Sequence, residues 1–192
     1  MAKRVPGERR KEILQTLAHM LENPKGEKIT TALLASKLDV SEAALYRHFA
    51  SKAQMFEGLI EFVEETVFTL VNKIQTEEPK GLKQVEATVS MLLSFAQKNP
   101  GMTRVLIGDA LVNEDERLQV RMNQLHDRLE ASLRQSARTA ATDGALHSSL
   151  DANAYANAVM AFIVGRWHQF AKSGFKRSPT EGLAQCWSVF AG

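Results

Sequence analysis

Cysteine occurs once in these 192 residues, at Cys186, so no disulfide within the chain can staple the fold, and a reducing compartment suits it. That residue reads as a small apolar helix position rather than a reactive thiol. Long hydrophobic runs are missing too. No stretch of about eighteen apolar residues occurs and no basic-then-apolar segment opens the chain, which is therefore expected to be soluble and cytoplasmic, with no membrane partner. Motifs that carry chemistry are also lacking: there is no G-x-G-x-x-G, no G-K-[ST], no H-E-x-x-H and no G-x-S-x-G. The five histidines, His19, His48, His126, His147 and His168, fall on separate segments without ligand spacing. Neither enzyme activity, nor a metal, nor a cofactor is expected. Strand alternation and internal repeats are absent from the pattern as well.

What the chain does have is helical periodicity from end to end. Residues Glu8 to Glu22 place Ile13, Leu14, Leu17, Ala18 and Leu21 at 3.6-residue spacing, and Asn23-Pro24-Lys25-Gly26 ends that helix. A long helix after Ser51 carries Phe56, Leu59, Ile60, Val63, Val67, Leu70 and Ile74, stopping near Glu77. Further helices are expected over Leu82 to Lys98, Met102 to about Leu111, Glu114 to Arg138, Asp151 to Ser173 and Thr180 to Phe190. Residues Thr139 to Ser149 read as a linker of small and polar residues, and Gly174 to Pro179 as a turn.

Net charge is only +2, but its distribution is uneven. Residues 1–53 hold ten Lys+Arg against six Asp+Glu, or +4, leaving 14 against 16, or −2, for the rest. The basic excess coincides with the most informative stretch, Ile29 to Lys52. There Thr30 or Thr31 can cap a short helix whose inward side is Leu33, Leu34, Ala35 and Leu38. Asp39 sits where the chain must reverse, since short polar side chains tolerate the left-handed backbone better than most. Val40 plugs the turn into the core, and Ser41 caps a second helix from Glu42 to about Phe49, with Leu45 and Phe49 inward. Glu42, Ala43, Ala44, Arg47 and His48 remain on its outer faces. Ser51 caps the third helix and leaves Lys52 in its first turn, where a cation opposes the helix dipole and a phosphate would reverse the sign. Two short helices with a tight turn and a basic, aromatic end form a helix-turn-helix, whose second helix enters the major groove of double-stranded DNA. Lys3, Arg4, Arg9 and Arg10 upstream fit a loose basic arm for the minor groove.

The segment resembles the DNA-binding domain of the TetR family, close to A-x-x-x-G-V-S-x-x-x-L-Y-x-H-F-x-x-K, with Ala35, Val40, Ser41, Leu45, Tyr46, His48, Phe49 and Lys52 in register. Asp39 departs from the usual Gly. The resemblance implies an all-α homodimer of about nine helices per chain, with residues 1–53 as a three-helix DNA-binding domain and 54–192 as a core and dimerisation domain. It implies that Thr31, Tyr46, His48 and Lys52 hold phosphates, and that Glu42, Ala43, Ala44 and Arg47, after the capping Ser41, lie nearest the base edges.

In the second half, Ala154, Ala158, Ala161 and Gly165 form a seam of small residues flanked by Met160, Ile163, Trp167 and Phe170. With Leu183, Trp187, Val189 and Phe190 of the last helix this seam is expected to build a four-helix dimer interface. The alternative for a TetR-like core is a small-molecule ligand pocket lined by Met91, Phe95, Met160, Phe162 and Trp167, making the protein a ligand-responsive repressor. A closer resemblance is to the nucleoid-occlusion factors of the family, carried by SEAALYRHF (41–49), LIEFVEE (59–65), KNPGMTRVL (98–106) and ERLQVRMNQLHDRLEASLRQ (116–135). It implies a nucleoid-associated protein that engages the division protein FtsZ when bound to DNA, through Phe62, Met91, Ser94, Lys98 and Asn99. Phe62 and Phe68 also lie off the inward stripe, as partner-contacting aromatics would. Leu70, Ser94 and Asp109 to Asn113 differ from that pattern, which has an arginine, a glycine and a more aromatic run there.

Overall fold

The computed structural model describes residues 7–23, 29–147 and 149–191, and its regular elements are all helical, with no strand among the described residues. In chain order the helices are α1 (Glu8–Leu21), α2 (Thr31–Lys37), α3 (Glu42–Tyr46), α4 (Lys52–Glu77), α5 (Gly81–Lys98), α6 (Pro100–Leu106), α7 (Glu116–Thr142), α8 (Ala152–Lys172) and α9 (Leu183–Trp187), with one 3-10 turn at Asp109–Leu111. No helix among the described residues is long and apolar enough to cross a membrane.

The first three helices close on a small core of Ile13, Leu17, Leu21, Leu34, Ala35, Leu45 and Phe49, all buried. Burying each such side chain stabilises by roughly 1.5–3 kcal/mol, which α2 and α3 need because helices of seven and five residues do not persist alone. Three hydroxyls cap the first turns of α2, α3 and α4. Thr30 Oγ1 accepts from Leu33 N at 3.1 Å, Ser41 Oγ from Ala44 N at 3.2 Å and Ser51 Oγ from Gln54 N at 3.2 Å. Thr30, not Thr31, is therefore the cap of α2. Asp39 takes the left-handed conformation, φ 53°, and Val40 N donates to Ala35 O at 3.0 Å to lock the reversal.

Helix α4 runs from this three-helix head into the larger body, so the boundary drawn after residue 53 falls in its first turn. Met55, Phe56, Leu59, Ile60, Val63, Val67 and Val71 are its buried residues. The expected stripe went through Leu70 instead, which is 37% exposed. Successive steps of four residues turn the stripe slightly past a full revolution, and after Val67 the inward position falls on Val71.

The body is built on α5, α7 and α8. Gly81 starts α5 against the end of α7: a Cβ there would lie 2.0 Å from Ala140 N, so only glycine permits that approach. Gly101 plays the same part between α6 and α1, with a Cβ at 2.0 Å from Ala18 O. Helix α5 ends at Lys98, and α6 begins at Pro100, two residues before the expected Met102, as the N1 preference of proline allows. Helix α7 extends to Thr142 because Ser136, Ala137 and Ala140 stay buried, so the expected linker starts four residues later than its composition suggested. Helix α9 is shorter than expected, beginning after Gly182 in the left-handed region at φ 64°.

Candidate nucleic-acid interface

Capping and the small core leave one side of α2 and α3 facing solvent. Ser41, Glu42, Ala43, Tyr46, Arg47 and His48 are exposed, with Thr31 and Ala44 half-buried beside them. Tyr46 is 46% exposed, although a tyrosine of a helix packed only on its own chain has no need to be. Its hydroxyl donates to Thr31 Oγ1 at 3.5 Å, and Thr31 Oγ1 donates to Glu42 Oε2 at 2.5 Å. The two hydroxyls expected to hold phosphates therefore stand together, beside the Glu42 carboxylate that accepts from Thr31. Arg47 and His48 form no side-chain hydrogen bond or ion pair with another described residue, leaving their donors available for base edges and backbone.

The basic arm is corrected in part. Arg9 and Arg10 belong to α1 and are engaged within the chain: Arg9 pairs with Glu12 at 2.6 Å, and Arg10 lies 4.1 Å from the Phe49 ring centroid while donating to His48 O at 3.0 Å. Arg10 thus closes the open carbonyl end of α3. Lys3 and Arg4 lie outside the described residues. Arg104 of α6 does the same for α1, donating to Leu21 O at 3.4 Å and Asn23 O at 3.2 Å, with its Nε on Asp109 at 2.6 Å. Lys52 pairs with Glu114, from the loop before α7. Sequence reasoning missed Arg104 and Glu114, because the Leu21 and Asn23 carbonyls that Arg104 reaches and the Lys52 that Glu114 pairs with lie 62 or more residues away and no local pattern marks them.

Two other exposed faces carry the remaining site residues. Phe62 is 47% exposed and, with Asn99, lines an open groove of about 450 Å3 whose floor includes Leu14, Ala18, Leu59 and Met102. Met91, Ser94 and Lys98 follow one face of α5, the first two half-buried and Lys98 exposed. Asn99 is held by its amide, which donates to Phe95 O at 2.8 Å. Phe68, by contrast, is covered by Arg128 at 3.8 Å from its ring centroid and is packed within the chain.

On α8 the seam of Ala154, Ala158, Ala161 and Gly165 is exposed along its whole length, and a Cβ on Gly165 would meet nothing within 4 Å. Asp151 caps this helix, accepting from Asn153 N at 2.7 Å and Ala154 N at 2.8 Å, and those bonds hold its carboxyl below the usual range. Trp167 and Trp187 were expected in the same interface and are not free to serve it. Trp167 is fully buried, with its Nε1 donating to Leu92 O at 3.4 Å, because residue 167 faces α5 across the core. Trp187 is buried too, its ring tilted 33° against that of Phe190 at 6.0 Å between centroids, and the Phe190 carbonyl accepts from the Tyr155 hydroxyl at 2.9 Å. Burial pushes that Tyr155 hydroxyl up to about 12. Val189, just beyond the end of α9, is 79% exposed.

Of the residues named for the ligand alternative, Phe95, Met160 and Trp167 are buried, and Met91 and Phe162 are half-buried. The open clefts of about 820, 510, 460 and 450 Å3 among the described residues are not lined by any of the three buried ones. No group of three or more His, Cys, Asp or Glu able to hold a metal occurs among the described residues.

Residues 80–192 match a family model described as a tetracyclin repressor-like, C-terminal domain of SlmA-like type, and residues 27–59 match that of the bacterial regulatory proteins of the tetR family. The chain is 50% identical over 182 residues to the nucleoid occlusion factor SlmA of Alteromonas mediterranea, across 95% of this chain and 93% of that protein. To the protein of the same name from Vibrio vulnificus it is 45% identical over 184 residues, across 95% and 94% of the two chains. Among solved structures it is similar to the TetR family regulator PfmR from Thermus thermophilus, with a TM-score of 0.78 at 20% identity over 93% of this chain and 96% of that one. FadR from Bacillus subtilis, solved with stearoyl-CoA, gives 0.76 at 12% identity, over 95% and 97%. These two share the fold.

Proposed function

The chain belongs to the TetR family of bacterial regulatory proteins, non-enzymatic DNA-binding proteins, and from there we propose that it is a homodimeric nucleoid-occlusion factor: it binds chromosomal sites and, once bound, engages FtsZ to prevent septum formation over the nucleoid. The observation that carries this reading is the exposure of Phe62 in a largely apolar groove beside Asn99. Relatives named as nucleoid occlusion factors at 45–50% identity support it. The complete burial of Trp167, hydrogen-bonded to Leu92 O across the core, favours it over the ligand-responsive repressor, which needs an enclosed cavity of roughly 300 Å3 or more there.

In this mechanism Arg47 and the start of α3 read bases, while Thr31, Tyr46, His48 and Lys52 hold phosphates. The exposed seam of α8 meets its copy across a twofold axis, setting two reading heads roughly 34–36 Å apart for half-sites one helical turn apart. Phe62, Met91, Ser94, Lys98 and Asn99 receive FtsZ.

Sedimentation of FtsZ polymers with the protein, with and without duplex carrying its site, tests the partner. A DNA-dependent change in pelleted polymer is expected; identical pellets would remove FtsZ from the reading. Genome-wide site mapping tests the role. Sites scattered over the chromosome and absent near the terminus are expected, whereas a single site beside the protein's own gene would point to repression.

A further inference from the structure

Lys52 stands in the first turn of α4, where the helix dipole disfavours a cation. The fold resolves this with an anion of its own. Glu114 reaches from the loop between the 3-10 turn and α7 and pairs with the Lys52 ammonium, which also lies 5.6 Å from the centroid of the Phe56 ring. Both side chains are mostly covered, 21% and 15% exposed. The loop that delivers Glu114 is itself held: Leu111 is buried, Glu114 N donates to Leu111 O at 3.1 Å, and Asn113 takes a left-handed φ of 64°. Neighbouring charges are already committed elsewhere, since Arg117 pairs with Glu57 at 2.9 Å and with Asp115 at 3.5 Å.

A DNA phosphate at the start of α4 would want the same ammonium. One cation cannot neutralise a carboxylate and a phosphate together, and two anions at that distance repel. We infer that Glu114 is an internal stand-in for the phosphate: it occupies Lys52 in the free protein and is displaced when a duplex binds. Glu114 is then a residue that sets DNA affinity without touching DNA, and its release frees the segment 107–115 of the body in the DNA-bound state. This rests on the reading of Lys52 as a phosphate contact. The opposite role for Glu114, orienting Lys52 toward the phosphate, predicts the opposite sign.

The test is the affinity of full-length protein for a labelled mixed-sequence duplex of about 30 base pairs at about 50 mM salt, where phosphate contacts dominate. Glu114→Gln is expected to tighten binding about fivefold, the scale of one partly covered ion pair. Lys52→Ala is expected to weaken binding and, combined with Glu114→Gln, to erase the gain. Amide exchange over residues 109–115 should quicken when duplex is added to the wild type and be fast from the outset in Glu114→Gln. Glu114→Ala, checked by thermal melting, repeats the affinity test with a second side chain. Unchanged or weaker binding by folded Glu114→Gln and Glu114→Ala overturns the inference while leaving DNA binding intact. Loss of any duplex affinity in the wild type would instead remove the DNA contact on which it rests.

Discussion

Helices α2 and α3 of the reading head are seven and five residues long, whereas α5, α7 and α8 of the body run 18, 27 and 21 residues. The head is held by hydroxyl caps and by arginines that close helix ends, interactions that fix directions. The body is held by stripes of buried side chains and by Gly81, which lets backbones touch, and Gly101 does the same where body meets head; these interactions fix distances. Their exposed faces differ in kind as well: α3 presents Arg47, His48 and Tyr46, while α8 presents alanines and a glycine. A polar, donor-bearing face suits a charged duplex; a smooth, small-residue face suits close approach of another helix.

Substitutions that exchange these characters should separate the two faces. Ala158→Arg puts a cation into the small seam and is expected to weaken self-association about a hundredfold or more, read by sedimentation equilibrium, with thermal melting of the chain retained. An unchanged dimer would move the interface off α8. Gly101→Ala drives a methyl into Ala18 O, and overpacking of that kind costs about 1–3 kcal/mol. A fall in Tm of about 3–10 °C is expected, with the head loosened from the body in amide exchange. On α3, Arg47→Ala should lose about 1–3 kcal/mol of discrimination at one base pair, whereas Lys52→Ala should weaken all duplexes alike and flatten the salt slope by about 0.9. Equal behaviour of the two would deny Arg47 a base-reading role.

A smaller effect concerns pH. Burial beside Trp167 holds His126 below its ordinary value, against the opposing influence of the Leu106 backbone and Asp127, while His168 adds to the lowering. Between its folded pKa and about 6.5 the unfolded chain binds a proton that the folded chain refuses, so stability should fall as pH drops through 6.5. Melting at pH 7.5 and 5.5 should show the loss in the wild type and a reduced loss in His126→Phe. Smallest of all, Asp39→Gly should raise stability by about 0.5 kcal/mol, because the left-handed turn suits glycine better.

The head was almost wholly legible in the chain because its determinants are local: a cap reports on a backbone amide three residues on, and Asp39 on its own φ. The body was legible as helices but not as surfaces. Periodicity placed Leu70 inward and Trp167 at an interface, since a stripe read along one helix does not say which neighbour covers it. Glu114 on Lys52 and Arg104 on the end of α1 depend on folding that brings distant segments together, and no spacing announces them. The aligned small residues of α8 were visible, yet only the structure shows them uncovered.

Helix α4 has a mechanical corollary. Its 26 residues make a rod about 39 Å long, with the reading head at one end and its far end seated in the body. Pivoting that rod by about 5° at the seated end sweeps the head through about 3.4 Å, the rise of one base pair. In the dimer proposed above, whatever fixes the tilt of α4 in each half would therefore decide whether both heads keep step with the duplex or slip by a whole nucleotide.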